Sequence, residues 1–142
     1  MSFAKLQTKV FSRWVSKQLK GLSEQQVNDI TKDLTNGIAL IDLATILTHK
    51  KSLKQYNQMP KRNIDMIQNC DLAINMFTKD GVNLSGITGK NINENNEKLI
   101  LGFIWSLITH YSVNKSMNSE KSKNNQKDNS KLEKENQNSL IS

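Results

Sequence analysis

The stretch Lys98-Leu99-Ile100-Leu101-Gly102-Phe103-Ile104-Trp105-Ser106-Leu107-Ile108-Thr109-His110-Tyr111-Ser112-Val113 decides the fold. Wound at about 100° per residue, its apolar side chains cover most of a helix circumference. Only Lys98, Gly102, Ser106 and Thr109 leave a narrow small or polar strip. A helix apolar on nearly every side must be enclosed by lipid or by protein. Lipid is excluded by length, because a bilayer span takes about 20 apolar residues and this run is shorter, with Thr109 and His110 inside it. The stretch therefore predicts a central core helix with other helices packed around it.

Working outward, composition changes abruptly beyond Val113. Residues 114–142 hold six lysines, four acidic residues and many Asn and Ser, with only Met117, Leu132, Leu140 and Ile141 apolar. Such a segment buries too little apolar area to offset its ordering entropy. A coiled coil is not sustained either, since the leucines at 132 and 140 are eight apart and no heptad repeats. We expect a folded domain over residues 1–113 and a disordered Asn/Ser/Lys-rich tail over 114–142. The net charge of the whole chain is +7; residues 1–113, with fourteen basic and nine acidic side chains, hold +5 of it. This favours acidic partners without choosing among nucleic acid, anionic lipid and acidic protein. One cysteine, Cys70, leaves no intramolecular disulfide, which points to a reducing, intracellular setting. No apolar signal core is visible between Met1 and Lys20, and the expected location is cytoplasmic.

The first twenty residues read as a helix. Lys5, Lys9, Arg13 and Lys17 recur every four residues, with Lys20 on the same side, and no acid precedes Glu24. These five span an arc of about 120° opposite Phe11, Trp14, Val15 and Leu19, so one face is core and the other a basic stripe. Like charges at i,i+4 repel by a few tenths of a kcal/mol per pair. A stripe with no balancing acid thus hints at an outside partner. After Gly21, residues 27–34 form a short helical or irregular segment, and Asn36-Gly37 a turn before a strongly apolar second helix through Leu47. Residues 48–62 form a basic loop with Lys50, Lys51 and Lys54, punctuated by Pro60. Ile64, Ile67, Cys70, Ala73, Ile74 and Phe77 step by threes and fours, giving a third helix that ends at Asp80-Gly81. Residues 88–93 form a helical turn, and Asn95 or Asn96 caps the core helix.

In this order and spacing, several segments are similar to the calponin homology family. They are Gln7–Val15, Asp33–Ile41, Lys50-Lys51 with Tyr56–Lys61, Asn69–Ile74, and above all Lys98–Ile108 followed by His110-Tyr111-Ser112. The chain most resembles the first, type 1, domain of the tandem pair in filamin, α-actinin and spectrin-like actin cross-linkers. The resemblance implies an all-α, compact helical bundle of four main helices plus short connecting helices. One departure is Glu94-Asn95-Asn96 where the family has Asp-Gly-Asn; Asn tolerates the left-handed backbone such a turn needs. Leu43-Ala44-Thr45 replaces a frequent Leu-Leu-Glu and reads as a surface or capping change. A larger departure is that no second such domain follows within these 142 residues.

The resemblance also implies an F-actin-binding cytoskeletal protein. Its surface would draw Lys5, Thr8, Lys9, Ser12, Arg13, Ser16 and Lys17 from the first helix, Lys50, Lys51 and Lys54 from the loop, and Lys98, Ser106, Thr109, His110 and Ser112 from the last helix. The alternative is an adaptor or signalling module that engages other cytoskeletal or signalling proteins, or microtubules, without touching F-actin. Nucleic acid is disfavoured because no aromatic is expected at an exposed, base-stacking position; Trp14 and Trp105 are expected as core anchors. Catalysis is not expected. His49 and His110 lack Cys or carboxylate company at metal-ligand spacing, Cys70 lies on the inward side of its helix, and Gly86 and Gly89 make no phosphate loop. Asp29, Asp33 and Asp42 are too dispersed for a Ca²⁺ loop. No cofactor or metal is implied.

Overall fold

The computed structural model describes residues 2–51 and 55–113. The expected tail, and Lys54 of the basic loop, lie outside these residues. Among the described residues there are five α-helices and no strand: α1 (Phe3–Leu19), α2 (Ile38–Thr48), α3 (Asn63–Lys79), α4 (Gly89–Asn93) and α5 (Glu97–Ile108). The chain then makes a π-helical turn, Thr109–Val113, where a single α-helix to Val113 was expected. Within that turn the His110 and Tyr111 rings meet edge to face at 4.7 Å.

Each boundary has a local cause. The Ser2 hydroxyl accepts from the Lys5 N–H at 3.1 Å and starts α1. Gly37 adopts φ +80 before α2, and a Cβ there would meet the Asn69 Cβ at 2.5 Å and the Cys70 nitrogen at 2.7 Å. Only glycine combines that backbone with so close an approach of α3. Thr88 and Asn91 form a reciprocal capping box at the start of α4, satisfying two otherwise orphaned donors. Asn95 takes φ +58, and Asn96 caps α5, its side-chain oxygen accepting from the Leu99 N–H at 3.2 Å. The left-handed Asn turn and the cap are thus where the sequence placed them.

The core is built around α2 and α5. Leu40, Ile41, Leu43 and Ala44 of α2, and Ile100, Phe103, Ile104 and Leu107 of α5, are buried. Leu43 and Ala44 are therefore core positions, and only Thr45 is half-buried, which corrects the surface reading of that triplet. Phe103 meets Phe77 of α3 edge to face at 5.9 Å, and α5 also packs on α1 and α4. The irregular link between α1 and α2 buries Val27, Ile30 and Leu34. Two side chains fasten this link: the Ser12 hydroxyl accepts from the buried Ile30 N–H at 2.9 Å, and the Ser23 hydroxyl donates to Asp42 of α2 at 2.7 Å.

Trp105 departs from expectation. It is 54% exposed, and its ring lies nearly parallel to Phe11 of α1, at 6.1 Å and 14°. Its size made it look like core, but at position 105 it falls in the same angular strip as Lys98 and Gly102, the outward edge of α5. Trp14 is half-buried. Neither tryptophan is a fully enclosed anchor.

Candidate interaction surface

α1 places its side chains by simple angular bookkeeping. Phe11, Ser12, Val15 and Leu19 are buried, while Lys5, Lys9, Arg13, Ser16 and Lys17 are exposed, as is Lys20 just beyond the helix. The basic stripe is thus a surface feature, one helical turn between successive charges. The described residues contain two ion pairs, Arg62–Asp65 and Lys90–Glu94; neither involves α1. No acidic residue stands in the first turn of α1, so among the described residues no ion pair offsets the stripe's mutual repulsion.

Not every residue expected on this surface reaches it. Ser12 is 4% exposed, its hydroxyl committed to the Ile30 N–H, so it belongs to the core-facing side of α1. Thr8 is half-buried, and its hydroxyl donates back to the Ala4 carbonyl at 2.9 Å. On α5, Lys98 is exposed and Ser106 half-buried. Thr109, His110 and Ser112 lie in the π-helical turn.

Lys50 and Lys51 are exposed just past the C-terminus of α2. With Lys79 of α3 they line a cavity of about 250 Å³ whose other walls include Leu72 and Met76. Lys79 went unnoticed in the sequence because its partners are distant in the chain. The lysines stand at the C-terminal ends of two helices, where cations complement the helix dipole. The chain leading into α3 is held by Asn69, which is 2% exposed. Its amide donates to the carbonyls of Asn36 at 3.0 Å and Asn57 at 2.9 Å, and its oxygen accepts from the Asn57 N–H at 3.3 Å. Asn69 thereby ties the basic loop to the turn before α2, a role no motif announced.

A cavity of about 430 Å³ is lined by the amides of Gln55, Asn57, Gln68, Asn69 and Asn75 together with Tyr56, Asp71 and Leu72, and no Ser, Thr or Cys nucleophile stands beside a base among these residues. Cys70 is fully buried; burial first, and the neighbouring Asp71 charge second, push its thiol up to about 12, far from a reactive thiolate. Among the described residues no group of three metal-ligating side chains comes together, and no helix is long and apolar enough to cross a membrane.

The described residues thus present a cationic face on α1 and a lysine cluster beside the C-terminal ends of α2 and α3. The chain belongs to the calponin homology family: the family's domain model, "Calponin homology (CH) domain", matches residues 5–113. It is 36% identical over 109 residues to Cortexillin-1 of Dictyostelium discoideum, covering 76% of this chain and 24% of that protein. It is 33% identical over 113 residues to Filamin-C of Rattus norvegicus, covering 80% of this chain and 4% of that protein. With Alpha-actinin-like protein 1 of Schizosaccharomyces pombe it shares 32% identity over 108 residues, 76% of this chain and 17% of the relative. The chain thus spans no more than about a quarter of the length of these relatives.

Proposed function

We propose that this domain is a non-catalytic F-actin-binding module of the cytoskeleton, and that the exposed stripe Lys5, Lys9, Arg13 and Lys17 of α1 is its principal contact. The carrying observation is that the stripe is exposed and has no ion-pair partner among the described residues, in a chain of the family that also includes the filamin and cortexillin relatives. Actin filaments are acidic, so a rigid row of cations supplies long-range attraction and a fixed register. Lys50 and Lys51 form a second basic element, and Lys98 with Ser106 adds the edge of α5. Ser12 is left out of the contact because its side chain faces inward.

Co-sedimentation with filaments tests this. Binding should weaken as salt rises, because exposed charges are screened within a Debye length of about 10 Å at 0.1 M. K9E/R13E should abolish binding while preserving helical content. If the double variant sediments like the parent, the stripe is not the contact. If the parent fails to sediment even at low salt, the F-actin reading fails, and pull-down of another protein partner becomes the informative assay.

A further inference from the structure

The charges are not the only unusual feature of α1. Phe3, Leu6 and Val10, spaced by three and four, are 74%, 48% and 50% exposed. On the helix they share an arc of about 60° that adjoins the basic stripe, with Leu6 falling between Arg13 and Lys17 in projection. Across the helix, Trp105 rests on Phe11 and leaves half its surface open. The outer face of α1 is therefore an apolar ridge bordered along one side by cations, with no carboxylate from Ser2 to Ser23. A solvated stripe would account for the lysines, but it gives no reason for three adjacent apolar side chains left in water, each disfavoured in proportion to its exposed area.

We infer that this face docks the domain on an anionic lipid bilayer, α1 lying in the plane of the interface. The ridge is convex, so a protein partner would have to offer a matching groove. A bilayer accommodates a ridge without one, because headgroups part around Phe3, Leu6 and Val10 while lysine stems keep their ammonium groups at phosphate level. An aromatic side chain such as Phe3 suits the headgroup boundary. Each Lys or Arg near an anionic surface strengthens binding by about fivefold. The helix is already formed by packing against the core, so docking costs no folding entropy, unlike a free amphipathic peptide. The cations are those of the proposed filament contact, so membrane and filament would exclude one another, yet vesicle binding itself does not depend on the F-actin reading.

Flotation of the full 142-residue chain with phosphatidylcholine vesicles, with and without phosphatidylserine, tests the inference. Binding should require phosphatidylserine. L6Q/V10Q, which keeps every charge including those of residues 114–142, should reduce it by about tenfold with unchanged circular dichroism, and K9Q/R13Q by about 25-fold at two cations of about fivefold each. Absence of flotation on phosphatidylserine vesicles overturns the inference. So does flotation undiminished in L6Q/V10Q, which would assign binding to diffuse charge or to the lysines beyond Val113. Filament co-sedimentation of the same variants separates the two readings. Filament binding without vesicle binding would assign the ridge to the filament and leave the proposed function standing, whereas vesicle binding without filament binding would do the reverse.

Discussion

Replacing Ser12 by alanine distinguishes a structural role from a contact role at one position. Its hydroxyl is buried and accepts from the Ile30 N–H at 2.9 Å, and Ile30 is itself fully buried. S12A removes one hydrogen bond and strands a donor away from water, a loss of about 1–3 kcal/mol. Alanine's better helix propensity returns at most about 0.5 kcal/mol. For a domain of about 110 residues each kcal/mol moves the midpoint by about 4 °C, so differential scanning calorimetry should record a Tm lower by about 2–10 °C. The folded fraction of S12A should bind filaments with the parent's Kd, since the side chain does not reach the surface. A Tm within about 1 °C of the parent, together with a filament Kd weakened by tenfold or more, would refute the reasoning and return Ser12 to the interface.

Other outcomes follow from single observations. G37A should destabilise by about 2–4 kcal/mol, adding left-handed strain to an overlap with α3 that cannot give way, whereas G102A, whose Cβ would meet nothing within 4 Å, should stabilise by about 0.5–1 kcal/mol; parallel urea titrations check the pair. Cys70, with its thiol pushed up to about 12 by burial, should react with a disulfide reagent at neutral pH only at the rate of domain opening, and at once in denaturant. Asp29 titrates below its usual 3.8, chiefly because the Thr31 hydroxyl donates to it. A depressed folded pKa contributes stability that is present above the ordinary value and lost as pH falls through the lower one. Urea unfolding should therefore show the parent losing more stability than T31A on acidification from neutral pH to below 3.8. Deleting residues 114–142, whose apolar side chains number only four, should leave the melting temperature unchanged.

The sequence carried the helices well because their signals are local. The apolar crowding of Leu99–Leu107, the threes-and-fours of Ile64–Phe77, and the Asn-Gly and Asn-Asn turns each act within a few residues. It carried the basic stripe for the same reason: charges every four residues on one helix share a face whatever packs behind them. What it missed depends on contacts between distant segments. Ser12 lies in the N-terminal helix among surface residues, yet Ile30, in a link with no regular structure, claims its hydroxyl. Trp105 looked buried by type, but α1 covers only the part of its ring that stacks on Phe11. Asn69 holds two segments, at Asn36 and Asn57, that nothing in a linear reading joins. Exposure of Phe3, Leu6 and Val10 was equally hidden, since apolar residues beside a stripe read as the edge of a core until the core's extent is known.

The central claim, that the acid-free face of α1 binds F-actin, is tested most directly by co-sedimentation of the parent and K9E/R13E at low and high salt. The account predicts saturable sedimentation of the parent at low salt, a marked loss at high salt, and no sedimentation of the folded double variant at either. Salt-independent sedimentation, equal for parent and variant, would contradict it.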